Sequence, residues 1–215
     1  MDLQREKELV ERARGDDPDA FGALFDEYYQ KIFGYILKRT GVVAVAEDIV
    51  SEVFYKAQKG LWRFAWQNVP FSAWLYRIAT NEINGYFRKG TFRRSVSLDA
   101  LIEGSDFEVA DANDLIHELE HAERELEQHA LFLAVRKEIA KLPEKYQEVV
   151  ALRFFENKKV GDIAVILNKK EGTIKSLLSR AVEQLRNSFS DRPASEQTQM
   201  QPFYSSSVMD GERSL

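Results

Sequence analysis

From Val160 to Arg186 the chain carries the pieces of a surface that could read DNA. Val160 to Leu167 has the period of a short helix, Asn168-Lys169-Lys170 breaks it, and a longer helix starts at Glu171. Ala164 is small where two helices must cross closely, and Ile174, Leu178, Ala181 and Leu185 form one apolar stripe. Gly172, Thr173, Lys175, Ser176, Ser179 and Arg180 then face outward, with Lys170 just before them. Such a face, short or basic throughout, lets a helix enter a major groove and meet phosphates and base edges. The plainer alternative is a helical hairpin with a solvated polar face.

A second set of residues suits unpaired bases. Trp62, Phe64 and Trp66 lie in an aromatic-rich loop between Leu61 and Pro70, and Arg77, Arg88, Lys89, Arg93 and Arg94 follow. Opening DNA requires aromatic faces for exposed bases and cations for the backbone, and each stacked base is worth about 1–3 kcal/mol. Asn81, off the apolar stripe of its helix, can hydrogen-bond a base edge. Other aromatics must fill the core, and Trp74 and Phe87 are assigned there. A third set, Asp48, Glu52 and Tyr55, lies at i, i+4 and i+7 opposite an apolar stripe. That acidic and aromatic ridge suits a basic partner helix; alone, it would read as a solvated face.

His117-Glu118-Leu119-Glu120-His121 matches the H-E-x-x-H pattern of zinc proteases, with both imidazoles on one helix face. No glycine and third histidine follow at metzincin spacing, and the motif lies in a glutamate-rich connector without a cleft-forming core. It is read as a chance match. No catalytic residue, metal site or cofactor is expected.

The elements that must position these residues are helical nearly throughout. Asp17 at an N-cap and Pro18 at the first helical position start a helix carrying Phe21, Leu24, Phe25, Tyr28, Ile32 and Ile36, which Gly41 ends. A helix from about Val45 to Lys59 buries Val45, Ile49, Val50, Val53, Phe54 and Ala57, and another runs from about Ser72 to Arg88. Residues 95–114 are acidic and aperiodic, a linker, and Pro143 starts a helix carrying Tyr146, Val149, Val150 and Phe154. The Ser/Gln-rich tail, residues 190–215, reads as disordered.

The chain of 215 residues has a net charge of −5, unusual for a DNA binder, but the charge is unevenly spread. Residues 1–94 carry +2, residues 95–127 carry −10, residues 128–189 carry +5 and the remainder −2. Two neutral-to-basic blocks flank an acidic connector, so the average hides the relevant field. No cysteine is present, which excludes disulfides and thiolate metal sites. No run approaches the roughly 18 apolar residues of a membrane span, and the first twenty residues lack a secretory core. A cytoplasmic protein without membrane insertion is expected.

Two blocks of sequence resemble extracytoplasmic-function sigma factors of the sigma-70 family. Leu142-Pro143-Glu144 with Val149 to Glu156 resembles the start of their region 4; Asp162-Ile163-Ala164, Glu171 to Ser176, Leu178 to Ala181 and Leu185-Arg186 resemble its helix-turn-helix. Ala46 to Val50 with Glu52-Val53-Phe54 resembles region 2, as does Phe71 to Asn81. The resemblance implies an all-α fold of two small helical domains, a region 2 bundle over 1–94 and a region 4 helix-turn-helix over 128–189, joined by an acidic linker at 95–127. It implies a non-catalytic RNA polymerase sigma factor that directs transcription initiation by recognising and opening promoters. Asp48, Glu52 and Tyr55 would contact core RNA polymerase; Trp62, Phe64, Trp66, Arg77, Asn81, Arg88 and Lys89 the minus-ten element; Lys170, Gly172, Thr173, Lys175, Ser176, Ser179 and Arg180 the minus-thirty-five element. Core polymerase, promoter DNA and an anti-sigma factor are the implied partners. Ser51, Gln58, Lys159, Lys170 and Leu177 depart from the family's usual residues. The rival reading, a helix-turn-helix regulator that never joins polymerase, accounts for residues 128–189 but leaves the acidic ridge and aromatic loop unexplained.

Overall fold

Helix termini in this protein follow local side-chain chemistry. In a computed structural model that describes residues 2–64, 70–90 and 134–190, Asp2 accepts from Arg5 N–H at 2.8 Å and starts α1 (Leu3–Arg14). The periodicity reading did not foresee this helix, because charges dominate it; Leu9 and Val10 are nonetheless buried. Asp17 caps α2 (Pro18–Thr40) through the N–H groups of Asp19 and Ala20, and Gly41 at φ 75° ends it in the left-handed region that glycine tolerates. Next come α3 (Val43–Gly60), a 3-10 turn (Leu61–Arg63) and α4 (Phe71–Gly90). Leu24, Ile32, Tyr35 and Ile36 of α2, Val50, Val53 and Ala57 of α3, and Phe71, Leu75, Ala79 and Ile83 of α4 meet in one core. No strand occurs among the described residues.

Glu6 ties three of these helices together. Its carboxylate, 3% exposed, accepts from Tyr28 Oη of α2 at 2.6 Å and from Ser72 N–H in the first turn of α4 at 3.1 Å. Burial, and then the Glu6 carboxylate, push the Tyr28 phenol well above its ordinary range. Glu6→Ala strands both donors, at about 1–3 kcal/mol for each one left buried and unpaired. A fall in thermal midpoint on that scale is expected, with Glu6→Gln, which keeps an acceptor, falling less; equal loss in the two variants would refute the anchor.

Residues 134–141 are helical (α5); then come α6 (Glu144–Val150), a π-helical segment (Ala151–Phe155), α7 (Val160–Leu167) and α8 (Glu171–Ser190). Lys159 has no side-chain acceptor with which to cap α7; instead the Asp162 carboxylate accepts from Lys159 N–H at 3.3 Å. Asn168 at φ 52° ends α7, and Lys169 N–H returns to Ala164 O at 2.9 Å.

The sequence reading put residues 128–189 in a block with its own core. In the structure Glu144–Leu178 form one compact unit with α1–α4. Val149, Ala151, Leu152, Ile163, Ile166 and Ile174 are buried in the same apolar cluster as the first four helices. So short a stretch has too little apolar surface to enclose itself, and an available apolar face elsewhere in the chain resolves that. Residues 134–143 and 179–190 belong to a second unit, in which Val135, Ile139 and Ala181 are buried and Lys141 pairs with Glu138 at 2.7 Å.

Candidate nucleic-acid and polymerase interface

Helix α3 buries Ala46, Ile49, Val50, Val53, Phe54 and Ala57, so the intervening positions must face away from the core. Asp48 and Tyr55 are exposed, and Glu52 is half-buried. Glu52 is partly neutralised by Lys56 at 3.1 Å, and Lys56 also bonds Glu82 at 2.8 Å. Glu82 chiefly, against burial, holds the Lys56 ammonium above its ordinary range. The Lys59 ammonium lies 4.4 Å from the centre of the Tyr55 ring. Asp48 forms no ion pair among the described residues and is the ridge's most available charge.

The aromatic loop divides into two kinds of residue. Trp62 is 63% exposed, with the Arg63 guanidinium 4.4 Å from its ring centre. Phe64, expected to stack on a base, is only 6% exposed; its ring meets Phe71 edge-on at 5.8 Å and Trp74 at 5.0 Å. This is a correction: the ring belongs to the core because it closes the end of α4, where Gly60 also brings α3 against Trp74. Trp66 lies outside the described residues, as do Arg93, Arg94, the H-E-x-x-H motif, the acidic linker and the tail.

Along α4, Arg77, Asn81 and Arg88 share a stripe, and Asn81, Arg88 and Lys89 are exposed. Arg77 is not open to solvent as expected: its guanidinium donates to Ile166 O at 3.0 Å and to Val165 O, carbonyls in the last turn of α7. Asn84, which the sequence reading missed, continues the same stripe; its signal was its position seven residues after Arg77. On α2 the buried Arg39 donates through Nη1 to Tyr35 Oη at 3.5 Å.

Tyr76 Oη donates to Glu156 Oε2 at 2.6 Å and Lys38 Nζ to Glu156 Oε1 at 3.0 Å. Burial first, then Glu156, raise the Tyr76 phenol, while burial lowers the Lys158 ammonium that lies over its ring. On α8 the turn and helix keep Lys170, Gly172, Thr173, Lys175, Ser176, Ser179 and Arg180 exposed, while Ile174, Leu178 and Ala181 are buried. This is the face that the apolar stripe implied. No group of His, Cys, Asp or Glu able to hold a metal occurs among the described residues.

Comparison with known proteins decides between the polymerase-associated reading and a free-standing regulator. Family models of sigma-70 region 2 and sigma-70 region 4 match residues 24–93 and 132–185. The chain belongs to the sigma-70 family. It is 32% identical to the ECF RNA polymerase sigma factor SigW of Bacillus subtilis, across 86% of this chain and 97% of that relative. It is 36% identical to the ECF RNA polymerase sigma factor BldN of Streptomyces coelicolor across 86% of this chain, a match spanning 66% of that longer protein. The fold is similar to CnrH solved with the cytosolic domain of CnrY (TM-score 0.62, 20% identity, 87% of this chain and 99% of that one). It is also similar to RpoE of Bartonella quintana solved with NepR (TM-score 0.54, 22% identity, 80% and 98%). The protein is thus a sigma factor of the extracytoplasmic-function type, acting in promoter-specific transcription initiation. No helix among the described residues is long and apolar enough to cross a membrane.

Proposed function

We propose that this sigma factor divides its work among three surfaces. The α3 ridge of Asp48, Glu52 and Tyr55 docks core polymerase. Trp62 and Asn81 hold an extruded base of the minus-ten element, and Trp66, Arg88 and Lys89 assist. The α8 face of Lys170, Gly172, Thr173, Lys175, Ser176, Ser179 and Arg180 reads the minus-thirty-five element. The protein has no catalytic activity of its own, acts in the cytoplasm, and is bound by an anti-sigma factor, as RpoE of Bartonella quintana is by NepR.

The observation that carries this reading is that Trp62 and Asn81 are both exposed, Asn81 on a helix whose opposite side is packed in the core. The indole lies against the Arg63 guanidinium, and its ring offers a π-face on which a base can stack. Transcription from a promoter library with core polymerase and this protein tests it. Asn81→Ala is expected to change preference among minus-ten bases while core co-purification is retained. Arg180→Ala is expected to relax minus-thirty-five selection, by about 1–3 kcal/mol if it reads a base edge. Unchanged base preferences in both variants would remove the assignment.

A further inference from the structure

The first two turns of α8, Glu171 to Leu178, carry Ile174, Leu177 and Leu178 as their large apolar side chains. Ile174 and Leu178 are buried and hold the helix to the core. Leu177 differs from both. It packs against the core cluster along one side yet is only half-buried, while Thr173, Lys175 and Ser176 around it are exposed. About 60° around the helix from Ile174, it borders the exposed face, and Thr173 stands one turn before it on the same line.

The exposed arc of α8 is therefore not uniform. Lys175 gives one edge a charge, Gly172 and Ser176 give the middle room and a hydroxyl, and Thr173 with Leu177 gives the other edge methyl groups. Side chains four positions apart on a helix have Cβ atoms about 5–6 Å apart, so those two residues form one apolar edge. Because the core grips the inner side of Leu177, its outer side is already ordered before anything binds, which lowers the entropy cost of a contact there.

A major groove offers such an edge few partners. Phosphate oxygens and the ring nitrogens, carbonyls and amino groups of the bases are polar, and a leucine set against them displaces water without replacing its hydrogen bonds. The C5-methyl of thymine is the one methyl group in the groove. We infer that Leu177, with the methyl of Thr173 beside it, reads a thymine methyl in the minus-thirty-five element. The inference rests on the proposed placement of α8 in that element and adds to its polar contacts a determinant that makes no hydrogen bond.

The test uses holoenzyme assembled from core polymerase and the full chain, on the strongest promoter returned from a library randomised in the minus-thirty-five element. Each thymine of that element, on either strand, is replaced in turn by deoxyuridine, which removes the methyl group and keeps every hydrogen bond. Parent holoenzyme is expected to bind about fourfold less tightly at one of these positions, the effect of taking a single methyl group from an apolar contact. Leu177→Ala should bind the thymine and deoxyuridine promoters alike. Leu177→Met, which keeps an apolar side chain of similar volume, should keep the preference. Melting curves check both variants, and the deoxyuridine series on the parent needs no change in the protein. A selected element without thymine on either strand, deoxyuridine tolerated at every position, or a preference unchanged in Leu177→Ala overturns the inference. Arg180→Ala in the same library separates this failure from that of the α8 assignment. Relaxed selection with deoxyuridine tolerated sinks the methyl contact alone, and unrelaxed selection sinks the assignment with it.

Discussion

Trp62→Ala and Phe64→Ala are expected to fail in opposite ways. Trp62 is 63% exposed and its indole meets the Arg63 guanidinium, so its removal should leave the thermal midpoint nearly unchanged. Exposed substitutions of this kind shift stability by about 0.5 kcal/mol or less. Loss of a base-stacking face should instead lower open-complex stability by about 1–3 kcal/mol, roughly ten- to a hundredfold. Phe64, 6% exposed between Phe71 and Trp74, is a core residue, and Phe→Ala at such a position costs about 3–5 kcal/mol. Against a total stability of about 5–15 kcal/mol, that is a large share. Permanganate footprinting of the two holoenzymes, with melting curves of the free proteins, checks the contrast. Normal opening by Trp62→Ala would remove the indole from the base pocket, and a stable Phe64→Ala protein would contradict its place in the core.

Charge reversal at Asp48 should abolish co-purification with core polymerase while far-UV circular dichroism and thermal midpoint stay as in the parent. Asp48 is exposed and forms no ion pair among the described residues, so its replacement by lysine disturbs nothing within the fold. Placed against a basic partner helix, a reversed charge adds like-charge repulsion of several kcal/mol on top of the lost attraction. Glu52→Lys should have a smaller effect, because Glu52 already shares Lys56 with Glu82 and its charge is partly spent inside the molecule. The order of the two effects is itself a test: retention of core binding by Asp48→Lys would reduce the ridge to a solvated face.

Much of the candidate site was legible in the residues because it depends on periods and local chemistry. Asp17 and Gly41 bound α2 as expected, α7 begins at Val160, and α8 begins at Glu171. These boundaries depend on side chains within a few positions of each other, and one sequence contains all of them. The burial of Ile174, Leu178 and Ala181 followed from helical spacing, and with it the exposure of the opposite face. The acidic ridge on α3 was readable for the same reason.

Packing between distant segments was not readable. Nothing near Phe64 in the chain distinguishes it from Trp62; only the approach of α4, with Phe71 and Trp74, makes one ring core and leaves the other exposed. Glu6 looked like one more surface carboxylate on a charged helix until Tyr28 and Ser72 enclosed it. Arg77 was expected to offer its charge to DNA, but the α7 carbonyls that engage it lie nearly ninety positions away in the chain. Lys38 and Asn84 gained carboxylate partners only when Glu156 and Glu148 packed against α2 and α4. Apart from the charge-dominated α1, sequence by itself determined which long helices form and which face of each is apolar, since those depend on neighbours along the chain. Tertiary structure alone decided which polar side chains are spent internally and which remain for DNA or polymerase, since burial and pairing are properties of space, not of order along the chain.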